Sequence, residues 1–495
     1  MTRTELVTDL IDSAKAKLLD YWGKLPPQTG MRLDGIEAEL GALKELLEQG
    51  LWEVVLSALS EQAEQLGGAC SSCARKCTRE PQPLAVVVRG RTVQVPVVYY
   101  YCRRCHRGQA PLRQWLGVHE GSHSGGFARA LVSLCLLRSF GDGAKEMKEQ
   151  QGQEVDRTRA ERVTYQVAAE ARQYLDEKTK QWLAQACRSE LPRQGVEQLT
   201  LTADGGAVPV GTLVRPKPEV ATEFTVKRHL PKGTRQQTKR EVRLISVHRP
   251  QVLTERVVDI HVAPQDHPEV SGERMYVAAL QAGLGDNTRV HAVFDMGAWL
   301  RTQYEEQFPP PQHTACCDIF HVDEYLGEAA HCLFPDEEQQ RKDWLGVVHQ
   351  WLKASDHDLV VQQLHAHRCK PGCRKDDRGT CLVQVARRYL EHFASYMDYA
   401  RFVEEGLPIG SGEAEGAIRH WIRRRLDVPG VWREDHIQDM CALLTLKASG
   451  WWEDFWRWRD NKDIKNFHLR REGKLKATTF RGTVRPRGQA ASAPN

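Results

Sequence analysis

Four cysteines constrain the fold of this chain more than any other feature. They form two pairs with the spacing C-x2-C, Cys70 with Cys73 and Cys102 with Cys105. The stretch between the pairs, "LAVVVRGRTVQVPVVYYY", is rich in β-branched and aromatic residues and has a turn signal at Gly90, which predicts a β-hairpin. Four thiolates on either side of a hairpin suit tetrahedral Zn²⁺, because each short spacing lets one turn present two sulfurs. We therefore predict a zinc ribbon with structural Zn²⁺ at these four cysteines.

The remaining cysteines and the start of the chain bear on compartment. The first twenty residues, "MTRTELVTDLIDSAKAKLLD", contain no apolar leader, and no run of eighteen apolar residues occurs. We expect a cytoplasmic, nucleoid-associated prokaryotic protein with no membrane contact, in which paired cysteines favour metal over disulfides. Cys77 and His106 lie close enough in sequence to replace a ribbon ligand. A second zinc site is an open alternative for an irregular group: His365, His367, Cys369, Cys373 and Cys381.

A chain of 495 residues is too long for one ordinary core, so we expect several domains. Apolar residues at three- and four-residue steps predict a helix over residues 36–66, with a break at Gly50. We predict an N-terminal helical region (1–66), the zinc ribbon (67–115), a helix-turn-helix-like region (116–190), a catalytic domain in two parts (191–322 and 406–460), a helical insertion (323–405) and a basic C-terminal tail (461–495).

Residues 127–172 predict consecutive helices. "DGAKEMKEQQG" is a short helix that ends at Gly152, and a longer one starts after Asp156, a plausible N-cap. A short helix, a glycine turn and a longer helix with arginines at its start have the outline of a DNA-binding helix-turn-helix. An ordinary helical hairpin with a charged face is equally compatible. The arginines that we expect to contact DNA here are Arg157, Arg159 and Arg162.

From about residue 195 the apolar period changes from helical to alternating. "EQLTLTADGG" places Asp204 at the end of a strand on its polar face. "RVHAVFD" places Asp295 at the carboxyl end of another strand, and a helix follows it. Several strands followed by strand–helix units predict an α/β domain, a mixed sheet flanked by helices. Ligands of such sheets gather outside the strand ends, where both aspartates lie.

Two glutamates stand at the start of a third element, "GSGEAEGAIRHWIRRRL", which predicts a helix. Residues two apart on a helix diverge by about 200°, so Glu413 and Glu415 cannot both face one site. We predict that Glu415 faces inward, because it shares an apolar stripe with Ile418, Ile422 and Leu426. Glu413 is then the residue that complements the helix dipole. A simple ion pair between Glu415 and Arg419 is the alternative.

Asp204, Asp295 and Glu415 together predict a phosphoryl-transfer site for nucleic acid. Three carboxylates suit the oxygen-preferring cations Mg²⁺ or Mn²⁺. Two such ions roughly 3.5–4 Å apart activate an attacking oxygen and stabilise the leaving oxygen at phosphorus.

The chain as a whole resembles the DDE-type insertion-sequence transposases of the ISKra group, which are related to Mutator-like elements. The resemblance covers most of residues 36–460, and its motifs occur in the family's order: "CSSC", "YYYCRRCHRGQAPLRQWLG", "SFGDGAKEM", "TADGG", "FDMGAWL", "CDIFHVDEYL", "LPIGSGEAEGAIRHWIRRRL", "GVW" and "SGWWEDFW".

What the resemblance implies is a ribonuclease H-like catalytic domain with a helical insertion before the last acid. Asp204 matches the first aspartate of the family, in "TADGG", and Glu415 matches the glutamate of its G-S-G-x-x-E pattern. Asp295 matches the second aspartate, although the family's D-G-A-x-W appears here as "DMGAW". Asp318, followed by His321, is the reserve candidate for that role.

The reaction that the resemblance implies is metal-assisted cleavage at the ends of a mobile element, followed by attack of the freed 3′-hydroxyl on target DNA. The partners would be the terminal inverted repeats and target DNA, bound by a homodimer or higher oligomer. The basic tail and a cluster of arginines would bind phosphate: Arg419, Arg423, Arg424 and Arg425. Two alternatives remain open, a domesticated DNA-binding protein with an idle acidic site and a structure-specific nuclease.

Overall fold

A computed structural model describes residues 33–118, 122–188, 195–214, 234–250, 252–264, 267–367, 373–428 and 432–472, with residue 474 and scattered positions between 8 and 20. It divides into two compact units. The first comprises residues 1–131, 145–155 and 457–495, and the second comprises 132–144 and 156–456. No helix of the described residues is both long enough and apolar enough to cross a membrane.

The first unit contains small antiparallel sheets built around the predicted hairpin. Its elements are α1 (Leu33–Gly67), β1 (Thr78–Pro81), β2 (Leu84–Val88), β3 (Arg91–Val95), β4 (Val98–Cys102), β5 (Arg107–Gln109) and α2 (Pro111–Leu116). Strands β2 and β3 form the hairpin and turn at Gly90, whose φ is +79°. A second sheet has the order β1-β4-β5. Strand β4 ends at Cys102, as the sequence predicts.

Helix α1 differs from the prediction for residues 36–66 in two respects. The helix runs through Gly50 without a break. Its buried side carries Leu56 and Ala63, whereas Leu51 and Val55, which the predicted stripe would bury, are 48% and 51% exposed. The predicted stripe is wrong because apolar residues lie on more than one side of this helix, so periodicity alone does not select the side that packs.

Three helices follow α2 along the chain: α3 (Gly125–Cys135), α4 (Phe140–Gln151) and α5 (Arg157–Arg188). Gly152 follows α4 with a φ of +65°, a conformation that glycine adopts without steric cost. Asp156 caps α5, since its Oδ1 accepts the Arg159 amide at 2.9 Å. Both helix boundaries agree with the sequence prediction.

The second unit is an α/β domain around a five-stranded mixed sheet, as predicted. Its strands are β6 (Gln198–Val214), β7 (Thr234–His248), β8 (Val257–Val262), β9 (Arg289–Phe294) and β10 (Thr314–Cys317), in the spatial order β10-β9-β6-β7-β8. Strand β7 is antiparallel to both of its neighbours, whereas β9 and β10 run parallel to β6. Short 3₁₀ turns occur at Leu253–Glu255 and Ala394–Tyr396.

Helices connect and cover these strands. They are α6 (Glu269–Ala282), α7 (Ala298–Gln307), α8 (Ile319–Leu333), α9 (Glu338–Lys353), α10 (His357–His365), α11 (Leu382–Phe393), α12 (Tyr399–Glu404), α14 (Glu434–Ala448) and α15 (Trp452–Arg471). One further helix, α13, is α-helical over Gly412–Ala417, π-helical over Ile418–Arg423 and α-helical again over Arg424–Leu426. Helices α8 to α12 form the helical insertion that the sequence predicts between the last strand and α13.

Strand β6 is longer than predicted, so Asp204 lies within it rather than at its end. The strand continues to Val214 because β7 pairs with it from Thr200 to Val214. The polar face is as predicted: Leu201 and Ala203 are buried on one side of the sheet, and Asp204 points to the other. Helix α13 covers this second side. Its Ile422 and Ile418 approach Gly206, where an added methyl group would lie 3.5 Å and 3.7 Å from them.

The edge strand β8 is protected by side chains of α14 and of the residue that follows it. Thr445 Oγ1 accepts the Ile260 amide at 2.9 Å and donates to the Ile260 carbonyl at 3.3 Å. Ser449 Oγ does the same for Val258, at 2.9 Å and 2.8 Å. These hydroxyls replace the hydrogen bonds that a further strand would supply, which removes a template for aggregation.

Replacement of Thr445 by valine tests this capping of the edge strand. Thr445→Val keeps the shape of the buried side chain but leaves the amide and carbonyl of Ile260 unpaired, so we expect a loss of about 1–3 kcal/mol in the free energy of unfolding. Urea denaturation measures it. Thr445→Ser keeps the hydroxyl and is the matched control. Equal stability of the two variants would contradict the role of the hydroxyl.

Candidate active site and metal centres

The register of the parallel strands brings three aspartates into one row. Thr202 of β6 pairs with Val293 of β9, which in turn pairs with Cys316 of β10. Paired residues share a face of the sheet, and the next residue on that face is two positions on. On all three strands the residue two positions on is an aspartate: Asp204, Asp295 and Asp318. The sequence predicts the first two as partners, and the register places them side by side.

Asp204 is held in an environment that opposes its ionisation. Burial is the largest cause of its raised pKa, and the negative charge of Asp295 adds to it. The Gly205 amide, which donates to Oδ1 at 2.5 Å, and the charges of Arg423 and His321 act in the opposite direction without cancelling the effect. A buried carboxyl group beside a second carboxylate forms a site that a divalent cation would stabilise.

Asp295 is fixed by a tight turn. The Gly297 amide donates to its Oδ1 at 2.9 Å, and the Tyr389 hydroxyl donates to its main-chain carbonyl at 3.0 Å. Met296 has a φ of +60°, the left-handed conformation that glycine adopts most readily. This is the position at which "DMGAW" departs from D-G-A-x-W, so a methionine here adopts a conformation that favours glycine. Sequence analysis missed Tyr389, because nothing in "RRYLEHF" marks it.

Asp318, the reserve candidate, has its oxygens engaged in positioning. It is 6% exposed and caps α8, with Oδ1 accepting the Phe320 amide at 3.0 Å. The Ser411 amide also donates to Oδ1, at 3.2 Å, and the Ser411 hydroxyl donates to Oδ2. Asp318 therefore ties the end of β10 to the start of α13. His321, one turn into α8, has its Nδ1 3.2 Å from Glu324 and contributes positive charge near Asp204.

The two glutamates of α13 correct the prediction of which one faces inward. Glu415 has a side chain that is 57% exposed and pairs with Arg419 at 2.9 Å, which is the alternative stated from the sequence. Glu413 turns toward β7, where its carboxylate lies 2.8 Å from His248 Nε2. The buried residue of the first turn is Ala414. Each glutamate is about 100° from it, so the two lie on opposite flanks of the helix.

The environment of Glu413 is charged and half-buried. The Ser246 hydroxyl donates to it at 3.3 Å, and the Arg256 guanidinium lies 3.6 Å away. Burial alone would raise the pKa of Glu413, but His248, Arg256 and Ser246 outweigh it and lower the pKa. Burial would likewise lower the pKa of His248, but Glu413 and the Arg249 carbonyl raise it overall. This is the pattern of a mutually stabilised ion pair.

The arginines predicted to contact DNA differ in how far they are buried. Arg425 is buried, with Nε donating to the Cys135 carbonyl at 3.1 Å and the guanidinium 4.7 Å from the Trp432 ring. Burial lowers its pKa to about 10. The prediction that Arg425 binds phosphate is therefore wrong. Arg159 is partly buried, and burial lowers its pKa. The others are exposed: Arg157, Arg162, Arg419, Arg423 and Arg424.

The π-helical turn explains the position of Arg423. A π-turn contains about one more residue than an α-turn, so the residues after it are shifted around the helix by about one position. Arg423 is close enough to Asp204 for its charge to oppose the raised pKa of that carboxyl group. Because π-turns are rare and concentrate at functional sites, the turn over Ile418–Arg423 marks this helix as more than a scaffold.

The four ribbon cysteines lie together, as predicted. The sulfurs of Cys70, Cys73, Cys102 and Cys105 are within 4.8 Å of one another, which allows them to hold a metal such as zinc. Each pair is followed by a residue in the left-handed conformation, Ala74 with φ +55° and His106 with φ +51°. The two pairs therefore make the same type of turn.

The contacts around the four sulfurs distinguish them from the two possible substitutes, Cys77 and His106. The Ser72 amide, 3.5 Å from Cys70 Sγ, is the largest influence that lowers the pKa of Cys70 to about 6, which favours the thiolate. Cys77 is buried nearby, but its sulfur is directed to the Arg75 carbonyl at 4.0 Å. His106 Nδ1 lies 3.1 Å from the Tyr101 hydroxyl. Neither substitute is part of the four-sulfur group.

A second group of sulfurs contains a residue that the sequence did not suggest. Cys332 joins Cys373 and Cys381, with the three sulfurs within 4.8 Å of one another. Cys369, named in the open alternative, lies outside the described residues. Among the residues that the structure describes, these two cysteine groups are the sets of three or more potential metal ligands whose ligand atoms all lie within 4.8 Å of one another. Asp204, Asp295 and Glu415 do not form such a set. The Glu415 carboxylate pairs with Arg419 instead.

The Glu413–His248 pair predicts a specific dependence of stability on pH. Its contribution from Glu413, whose pKa is lowered, is present above about pH 4.5 and lost as pH falls through the native pKa. Its contribution from His248, whose pKa is raised, is present below about pH 6.5 and lost as pH rises through the native pKa. We expect Glu413→Gln to cost about 1–3 kcal/mol near pH 5.5 and less at pH 8.5, measured by urea denaturation. A cost independent of pH would contradict the pairing.

Comparison with known proteins leaves the family open: no protein-family model and no curated protein matches the chain. The functional assignment therefore depends on the geometry of the acidic row and on the sequence motifs.

Proposed function

We propose that this protein is a DDE-type DNA transposase that cleaves the ends of an insertion sequence and joins the freed 3′-hydroxyl to target DNA. The observation that carries the proposal is the juxtaposition of Asp204 and Asp295 in the register of neighbouring parallel strands, where the charge of Asp295 adds to the effect of burial on the pKa of Asp204. Such a pair provides the shared oxygen ligands that two-ion phosphoryl transfer requires. Mg²⁺ or Mn²⁺ would be the cofactor.

The fold supports the proposal. The sheet has the order β10-β9-β6-β7-β8 with β7 alone antiparallel to the central strand, which agrees with the ribonuclease H-like domain that the resemblance implies. The acids occupy the corresponding places: Asp204 on the first strand, Asp295 after the fourth, and Glu415 on the helix that follows the insertion.

Glu415 would be the third ligand in this proposal, and two contacts of α13, one on each side of Glu415, support that role. Before Glu415, Ser411 is bonded to Asp318 in the same row. After it, Ile418 and Ile422 lie over Gly206, two residues from Asp204. An exposed ion pair such as Glu415–Arg419 is worth about 0.2–1 kcal/mol, so a divalent cation at the aspartate pair would readily draw the carboxylate away from it.

The side chains have distinct tasks in this mechanism. Asp204 and Asp295 would hold the cation, and the Tyr389 and Gly297 hydrogen bonds keep Asp295 in place. The cation, when bound, would supply the Lewis acidity that activates water or the 3′-hydroxyl and stabilises the leaving oxygen. Arg423 contributes positive charge beside Asp204, where a scissile phosphate would lie.

Two regions that precede β6 in the chain would recognise the element ends. The four-cysteine group would be a zinc ribbon whose metal fixes the β4 turn, and α4 with α5 would form the helix-turn-helix-like element, with Arg157 and Arg162 exposed at the start of α5. A homodimer or higher oligomer would pair two ends. The basic tail proposed to bind phosphate lies largely in residues 475–495, which are outside the described residues.

One observation favours a different class of protein. Glu415 is paired with Arg419 at the surface, as expected of a DNA-binding protein whose acidic site is idle. The two proposals differ in what the carboxylates do, so substitutions that keep their shape separate them.

Catalysis should depend on Asp204, Asp295 and Glu415 and not on Glu413. In Mg²⁺-dependent cleavage of DNA that carries the element ends, Asp204→Asn, Asp295→Asn and Glu415→Gln should each lose about a hundredfold or more, because metal stabilisation of several kcal/mol is removed. Glu413→Gln is the matched control on the same turn and should keep most of the activity near pH 8. A joined donor–target product identifies strand transfer and eliminates the nuclease alternative.

Two outcomes would contradict this assignment. Full loss in Glu413→Gln with normal activity in Glu415→Gln would move the third ligand to the other flank of α13. Wild-type protein that binds the ends tightly but cleaves neither strand would favour the idle DNA-binding protein.

DNA affinity should fall with salt in proportion to the phosphates contacted. Arg423→Ala and Arg424→Ala should each reduce the slope of log K against log salt by about 0.9, measured by fluorescence anisotropy. Arg388→Ala, on the exposed surface of α11, is the control and should leave the slope unchanged. An unchanged slope in both α13 variants would remove this helix from the DNA interface.

A further inference from the structure

We propose a second zinc site within the helical insertion, formed by Cys332, Cys373, Cys381 and His367. The sulfurs of the three cysteines lie within 4.8 Å of one another, with those of Cys373 and Cys381 3.2 Å apart. His367 Nε2 lies 3.7 Å from the Cys373 sulfur but not within 4.8 Å of all three sulfurs, so bound zinc would draw this ring inward as the fourth ligand. Three thiolates and one imidazole are a common ligand set of structural zinc.

The distances decide between metal binding and a disulfide. Tetrahedral ligands about 2.3 Å from zinc are separated from each other by about 3.8 Å, close to the spacings of this group. A disulfide needs sulfurs about 2.05 Å apart and would leave the third cysteine unexplained. Core packing is also a poor account, because Cys332 and Cys373 are partly exposed rather than buried.

The turn that brings two of these sulfurs together is held by hydrogen bonds that do not involve the sulfurs. Cys373 and Cys381 flank a short turn in which Asp376 Oδ1 accepts the Thr380 amide at 2.7 Å and the Arg378 amide at 3.0 Å. Lys375 and Cys381 form an antiparallel bridge that closes the turn. The two sulfurs are thereby brought together across seven intervening residues.

Cys332 and His367 complete the group from neighbouring segments. Cys332 is the penultimate residue of α8, and its sulfur also lies 3.7 Å from the Arg374 carbonyl. His367 is chosen over His365 because both ring nitrogens of His365 are engaged. Its Nε2 contacts Glu391 at 2.9 Å, and its Nδ1 accepts from Arg387 at 2.9 Å.

The site would clamp two helices that lead to the acidic row. Helix α8 starts next to Asp318 and reaches Cys332 about 21 Å further along its axis, at 1.5 Å per residue. Helix α11 starts directly after Cys381 and carries Tyr389, whose hydroxyl donates to the Asp295 carbonyl. Zinc at the far ends of both helices would be structural and too distant to join the chemistry.

Zinc content of the purified chain tests the proposal directly. Native mass spectrometry should find about two zinc ions per wild-type chain, one in each cysteine group. Cys373→Ser with Cys381→Ser, and Cys332→Ser alone, should each lower the count by about one. Cys441→Ser is the matched control, since Cys441 is buried on α14 outside both groups and should not change the count. His367→Ala against His365→Ala tests the fourth ligand.

The ribbon variant Cys102→Ser with Cys105→Ser keeps the two sites separable, since it should remove one zinc and leave the other. Alkylation of wild-type protein gives a second readout that needs no variant: Cys332, Cys373 and Cys381 should react with N-ethylmaleimide only after chelation. A single zinc that disappears in the ribbon variant, reaction of these thiols before chelation, or a Cys373–Cys381 disulfide would each overturn the proposal.

Discussion

The proximity of Asp204 and Asp295 is the constraint on which the proposed catalytic site depends. Neighbouring strands lie about 4.8 Å apart, so carboxylates at adjacent positions of one face cannot avoid each other. Burial raises the pKa of Asp204, and the charge of Asp295 raises it further. A sheet that needed only stability would place apolar residues here, as it does one row earlier at Val293 and Cys316. The domain keeps both acids and surrounds them with groups of opposite charge, Arg423 and His321.

Small residues allow the third element to approach the pair. Gly206 faces α13, and Ala414 and Ala417 are the buried residues of its first turn. With little side-chain bulk between helix and sheet, the flanks of α13 come close to the strands. Glu413 uses one flank to bind His248 of β7, and Glu415 occupies the other. The helix is thus held to the sheet on one side by an ion pair, and the carboxylate on its other side pairs with Arg419 at the surface.

Local patterns in the sequence were sufficient for most of the fold. Alternation and strand–helix order predicted the five strands and both aspartates, because side-chain direction in a strand depends only on residue parity. The extent of β6 could not be predicted, since it is set by the pairing with β7 rather than by its own residues. Periodicity also failed for Glu415, which sits at the edge of the apolar stripe, where a rotation of a few tens of degrees decides exposure.

Contacts between distant segments were beyond the sequence for the same reason. Cys332 lies some forty residues before Cys373, and Tyr389 reaches Asp295 from the end of the insertion. Neither carries a local spacing that marks a partner. The ribbon cysteines were predictable because each pair is contained in one turn. Arg425 shows the converse error, in which a run of arginines suggested a surface although one member is buried against Trp432.

A crystal structure of the protein with Mn²⁺ and an element-end DNA would test the central claim most directly, through the anomalous signal of the metal. The account predicts a manganese peak between the carboxylates of Asp204 and Asp295, with Glu415 released from Arg419 and turned toward the ion. Absence of a peak at the aspartate pair, or a peak coordinated by Glu413 in place of Glu415, would contradict it.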